Sequence, residues 1–192
     1  RRAMRQKNIS RRDFMKMAGV GGVVFASGLP GCATLAGSGD DFYFVQLSDT
    51  HWGFEGPPNP DAKVTLKKAV AAVNALERQP DFIMFTGDLT HTTDDPAERR
   101  KRLGEFKQIV SELKVKNVRF MPGEHDASLD YGAAYKEFFG ATNYSFDHKG
   151  VHFIVIDNVS DPGASIGEAG LAMLAADLKK QATDAPIVVF TH

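Results

Sequence analysis

Four times along this chain a short apolar run breaks off at a carboxylate or an imidazole. F-Y-F-V-Q-L-S (42–48) leads into Asp49-Thr50-His51, and D-F-I-M-F-T (81–86) into Gly87-Asp88. N-V-R-F-M-P (117–122) leads into Gly123-Glu124-His125-Asp126, and I-V-V-F (187–190) into Thr191-His192. Runs this short, rich in aromatic and β-branched residues and flanked by turn formers, read as buried strands. In an α/β sheet the carboxyl ends of neighbouring strands open onto one crevice, where ligands sit. Carboxylates and imidazoles gathered there suit hard or borderline divalent metal ions.

The segments between the runs favour helix. Residues 61–78 place Val64, Leu66, Val70, Val73 and Leu76 against Lys63, Lys67, Lys68 and Arg78, an amphipathic pattern that Pro80 closes. Asp95-Pro96 suits the cap and first turn of a charged helix over 96–115. Further helices are expected near 130–139 and 167–181, with strands over 42–48, 81–86, 117–121 and 186–190. The stretch 143–157 reads as a hairpin turning across His148-Lys149-Gly150. Strands alternating with helices give a layered α/β fold, and the hairpin makes its sheets mixed.

Charge divides the chain. Of 23 Lys and Arg and 24 Asp and Glu, residues 1–32 hold seven and one, so residues 33–192 hold 16 and 23, a net charge of −7. An acidic body carries no broad electrostatic footprint for nucleic acid. The basic segment has the layout of an export signal: Ser10-Arg11-Arg12-Asp13-Phe14-Met15-Lys16, then an apolar stretch from Met17 to Leu29. That stretch is shorter than the ~20 residues needed to span a bilayer. S-R-R-D-F-M-K resembles the twin-arginine motif, which implies the twin-arginine export machinery as a partner and a periplasmic destination. A basic amphipathic helix at a domain edge is the alternative.

Cys32 is the only cysteine, which excludes an internal disulfide. Leu29-Pro30-Gly31-Cys32 is similar to a lipobox, and lipidation there would leave a membrane-tethered lipoprotein; a cysteine without that role in a cleaved tail is equally compatible. Residues 33–41 read as a linker, and 42–192 as the folded part.

The ordered set D-x-H, G-D, G-[N]-H-D and T-H over residues 42–192 is similar to the calcineurin-like metallophosphoesterase superfamily, with the bacterial cyclic-nucleotide phosphodiesterase-like branch the nearest in appearance. The resemblance implies a four-layer α/β/β/α sandwich. It also implies two divalent or trivalent ions (Mn, Fe or Zn) that deliver a metal-bound hydroxide to a small phosphomonoester or phosphodiester. Asp49 and His51 would bind the first ion, Asp88 would bridge both, and Glu124 and His192 would bind the second. His125 would stand by the leaving group, oriented by Asp126. The chain departs from the family pattern twice. Glu124 occupies the asparagine position of the third motif, where a carboxylate can ligate but cannot donate to a phosphate oxygen. The closing G-H-x-H does not occur in the 192 residues, so the sequence is expected to be the N-terminal part of such a domain, inactive by itself. A non-catalytic metal- or ligand-binding protein on the same fold is the rival reading. His91 fits a group near substrate or an ordinary loop histidine, and Trp52 and Phe54 fit packing better than a substrate surface.

Overall fold

The computed structural model describes residues 24–25, 41–161 and 163–192. The expected export signal apart from residues 24–25, the lipobox at Cys32 and the linker up to residue 40 lie outside the described residues. Among the described residues seven strands run in chain order: β1 (Val24–Phe25), β2 (Phe44–Leu47), β3 (Phe82–Thr86), β4 (Val118–Met121), β5 (Tyr144–His148), β6 (Val151–Val155) and β7 (Ile187–Phe190). Five helices lie among the described residues: α1 (Ala62–Asn74), α2 (Pro96–Val110), α3 (Glu124–Ala127), α4 (Ala133–Phe139) and α5 (Gly167–Leu178).

The strands form two sheets, ordered β1-β2-β3-β4 and β5-β6-β7. β2, β3 and β4 are parallel in register, with Leu47 opposite Phe85 and Thr86 opposite Met121, so their carboxyl ends are level. β3 is buried along its whole length because both of its faces are covered. With a side-chain period of two, Phe82 and Met84 enter a core shared with Met121 of β4 and with Phe153, Val155 and Phe190 of the facing sheet. Ile83 and Phe85 enter a second core with Leu66 and Val70 of α1 and Phe106 and Ile109 of α2. A side chain the size of Phe82 gains about 2–3 kcal/mol from such burial. On the far side, Asp177 of α5 accepts from Ser145 Oγ at 2.9 Å and contacts His152 Nε2 at 2.6 Å. Helices, two sheets and a helix make the expected four layers. No helix among the described residues is long and apolar enough to cross a membrane.

Several boundaries fall inside the expected ones. α1 stops at Asn74 because the Gln79 side-chain amide reaches back to the carbonyls of Val73, Asn74 and Leu76. Val64, on the expected apolar face, is exposed. α2 begins as expected, with Asp95 accepting from Ala97 N and Glu98 N and Pro96 in the first turn. It ends at Val110, where Ser111 Oγ and Lys116 Nζ take up free carbonyls. The hairpin turns at Lys149-Gly150, both at positive φ (45° and 79°), as a two-residue I′ connection requires.

His152 is buried between two carboxylates, Asp147 Oδ1 at 2.7 Å and Asp177 Oδ2 at 2.6 Å. Burial opposes its charge, but the two hydrogen bonds outweigh it and raise the imidazole pKa above its ordinary value. A raised histidine pKa adds stability that is fully present below the unfolded value and is lost as pH rises through the folded one. His152→Leu is therefore expected to destabilise by about 1–3 kcal/mol at pH 6, because it strands buried Asp177. At pH 9 the loss should be smaller. Urea melts of both proteins at the two pH values test this, and an equal loss at both would remove the ionic contribution.

Candidate metal centre

Level strand ends bring the first three motifs together, but by a route that strand alternation does not foresee. β2 ends at Leu47, so Asp49 and His51 are not alternate residues of a strand. Both adopt left-handed backbone, with φ of 58° and 43°, and Asp88 does so as well with φ of 49°. Such conformations cost on the order of 1–3 kcal/mol each in non-glycine residues and persist only where their surroundings fix them. Here an irregular ladder does so: Asp49 N donates to Gly87 O (3.0 Å), His51 N to Asp88 O (2.9 Å) and Trp52 N to Leu89 O (3.0 Å). The loops leaving β2 and β3 travel together and turn their side chains into one space.

Gly87 and Gly123 make that approach feasible. A Cβ on Gly123 would lie 2.1 Å from both the backbone N and Oδ1 of Asp88, and one on Gly87 would lie 2.4 Å from His192 Nδ1. Beyond Gly123 the chain enters α3, a single turn that the sequence reading leaves unassigned. It points Glu124 and His125 toward the site and Asp126 into the protein.

Asp88 is the centre of the arrangement and is 2% exposed. Its Oδ2 faces His51 Nε2 at 3.6 Å and His125 Nε2 at 3.9 Å, while Oδ1 faces His192 Nε2 at 3.6 Å and accepts from His125 N at 3.0 Å. Burial alone would raise its pKa. The contact with His192, the N–H of His125 and the neighbouring imidazoles outweigh burial and hold it below the ordinary carboxylate range. His51 Nε2 also lies 3.9 Å from Asp49 Oδ1, and Glu124 Oε2 lies 2.9 Å from His192 Nε2. All five expected ligands thus share one site. The ligand atoms of Asp49, His51 and Asp88 fall within 4.8 Å of one another, as do those of Asp88, Glu124 and His125.

Backbone partners set the two key imidazoles in opposite tautomers. His192 Nδ1 lies 2.6 Å from the Thr86 carbonyl, which can only accept, so in the neutral ring the proton sits there and the Nε2 lone pair faces Asp88 and Glu124. His125 Nδ1 accepts from Thr92 N at 3.2 Å, so the neutral ring keeps its proton on Nε2, toward the site. The first is the form of a metal ligand and the second that of a proton donor. Asp88 chiefly, with Thr86 O and Glu124 adding to it against burial, pushes the His192 pKa up to about 9.

Asp126 does not take the expected place behind His125. Its oxygens accept from Leu89 N, Thr90 N, Thr90 Oγ1 and Gly123 N at 2.8–2.9 Å, in full burial. Consecutive residues of a helical turn point about 100° apart, so Asp126 cannot lie behind its neighbour's ring. Thr92 N holds that ring instead. Sequence reasoning also misses Asn158, whose amide grips the backbone of His192 from both sides: Nδ2 donates to His192 O at 2.6 Å, and Oδ1 accepts from His192 N at 3.0 Å. It too follows an apolar run, 151–156, which was the available signal. His91, left open by the sequence, stands in the site with its ring stacked on His125 at 4.8 Å. Trp52 packs in the core and donates to Glu105, while Phe54 meets His91 edge-on.

Residues present fit cations. Asp88 divides its two oxygens between histidines on opposite sides, and three carboxylates crowd together with no lysine or arginine among the ion pairs that link them. Comparison with known proteins agrees. Over 91 residues the chain is 35% identical to an uncharacterised metallophosphoesterase-like protein of Bacillus subtilis, covering 45% of this chain and 18% of that one. Over 164 residues it is 29% identical to a protein of Rhodococcus erythropolis named "Probable cyclic nucleotide phosphodiesterase", covering 78% and 52%. Over 99 residues it is 28% identical to one of Arcobacter nitrofigilis named "Probable glycerophosphodiester phosphodiesterase", covering 49% and 33%. The chain therefore spans between 18% and 52% of the length of these relatives. Residues 42–192 match the family described as calcineurin-like phosphoesterase, and the chain belongs to that family.

Proposed function

We propose that this protein is an exported phosphoesterase that uses two metal ions to hydrolyse small phosphate esters, with diesters the favoured class. The single observation that carries the reading is Asp88, whose two oxygens each serve a different cluster of imidazoles and carboxylates. Asp49 and His51 would hold one ion, Glu124 and His192 the other, and Asp88 both. Mixed nitrogen and oxygen donors suit Mn, Fe or Zn. Bound ions at such a centre neutralise charge on the phosphoryl group and lower the pKa of water.

The remaining work falls to the chain's own residues. His125 presents an Nε2 proton fixed by Thr92, placed to pass to a departing alkoxide. Thr86 and Asn158 keep His192 in its ligating tautomer and position. Names of the Rhodococcus and Arcobacter relatives support diesters over monoesters. Ser10–Lys16 supports export through the twin-arginine machinery, which carries folded proteins, with Cys32 a candidate for lipid attachment on the outer side of the inner membrane.

A second reading has its own support. Glu124 is a carboxylate with a side chain 58% exposed toward the site, and it would repel an approaching phosphoryl oxygen. On that reading the protein binds metal without turnover. The full-length protein should be purified without its signal, loaded with Mn, Fe or Zn, and assayed for metal content and hydrolysis of an aryl phosphodiester. Close to two ions with turnover is expected. Metal without turnover favours the second reading, and no bound metal sinks both.

A further inference from the structure

We propose that His91 is a substrate-binding residue of this site, donating a hydrogen bond to a non-bridging phosphoryl oxygen; the assignment rests on the phosphoesterase reading above. The loop beyond Asp88 carries His91 back to the site mouth. Its backbone is fixed on both sides, N donating to Trp52 O at 2.9 Å and O accepting from Arg102 Nη1 at 2.9 Å. The ring lies on His125 at 4.8 Å and 25°, meets His51 edge-on at 5.6 Å, and is backed by Phe54 at 4.9 Å. One nitrogen from each of His51, His91 and His125 falls within 4.8 Å of the others, so the three imidazoles face one small volume.

Two observations separate His91 from both a metal ligand and a loop residue. His51, His125 and His192 each stand within 4.0 Å of Asp88, whereas among the described residues His91 pairs with no carboxylate. It sits outside the carboxylate cluster, on the face where the substrate's own oxygens would lie. Its Nδ1 is also buried without a hydrogen-bond partner among the described residues, a condition that a settled loop histidine avoids.

The rest of the site lacks what His91 offers. Asp49, Asp88 and Glu124 can only accept hydrogen bonds, and the Nε2 proton of His125 is directed at the leaving group. A phosphoryl oxygen needs a donor, and His91 is the neighbouring group able to supply one. An imidazole carries an N–H donor in either protonation state, so the ring can supply that hydrogen bond.

The test uses the full-length, metal-loaded protein with its signal removed, an aryl phosphodiester as substrate and inorganic phosphate as competing ligand. His91→Ala should raise KM and the phosphate inhibition constant by about tenfold, the worth of a hydrogen bond to a charged group, with metal content unchanged. His91→Gln, which keeps a donor, should recover most of the loss. In a Glu124→Asn background, where an amide donor is restored nearby, His91→Ala should cost several-fold less. Loss of metal from His91→Ala would make His91 a ligand and overturn the proposal. Wild-type turnover with unchanged phosphate affinity in His91→Ala would overturn it while leaving the phosphoesterase reading intact. A wild type that holds metal but neither hydrolyses the diester nor binds phosphate would end both.

Discussion

Asp88→Asn is expected to reduce aryl phosphodiester hydrolysis by at least about a thousandfold, the equivalent of roughly 4 kcal/mol of transition-state stabilisation. Bound metal should fall from close to two ions per chain to one or fewer. Asparagine is the informative replacement because Asp88 has φ of 49°. Asparagine tolerates left-handed backbone, whereas alanine would add strain and confuse a folding defect with a chemical one. The amide keeps the side chain's size and can still accept from His125 N through its oxygen. What it loses is the negative charge and the second acceptor, so it can no longer serve His51 and His192 at once. Circular dichroism should therefore be unchanged while elemental analysis and kinetics change together. A variant that held two ions and kept more than about a tenth of wild-type activity would remove Asp88 from the bridging position.

Much of this arrangement is legible in the sequence, and the illegible part has definite causes. Apolar runs mark β2, β3, β4, β6 and β7, most plainly β3 and β6, which are buried along nearly their whole length, whereas β5 (Y-S-F-D-H) is legible only as one arm of the hairpin. Asp95-Pro96 and Lys149-Gly150 announce a helix start and a hairpin because their backbone requirements belong to those residue types. Helix ends are less visible. Gln79 and Ser111 close α1 and α2 through side-chain bonds to carbonyls, and neither residue is a strong stop signal in sequence. At the site, ligand identity could be read but ligand geometry could not. Left-handed Asp49, His51 and Asp88 are stable only because the β2 and β3 loops bond to each other across about 38 residues of chain, which local spacing does not reveal. His91 and Asn158 join the site for the same reason, through tertiary contacts.

Asp126 shows most clearly how chain adjacency misleads. Standing beside His125, it invites an orienting role, yet it serves as a buried staple between α3 and residues 89–90. Burial pushes its pKa up to about 6 against four donors, so at pH 7.5 it remains an ionised, acceptor-only group. Asp126→Asn substitutes one amide oxygen for two carboxylate oxygens and turns an NH2 group toward backbone N–H groups. At least two of the four hydrogen bonds should fail, each stranded buried donor costing about 1–3 kcal/mol. Tm at pH 7.5 is expected to drop by roughly 5–15 °C, on the scale of a domain of about 150 residues. Activity at 20 °C should fall with metal occupancy as the 88–90 loop loosens. The pH dependence of the remaining turnover should not move, because Thr92 N, not Asp126, holds the imidazole of His125. Orientation of His125 by Asp126 predicts the reverse: Tm within about 1 °C of wild type and a displaced pH profile. Differential scanning fluorimetry and a pH–rate series on one preparation decide between the two, since a staple acts on Tm and an orienting partner acts on proton transfer.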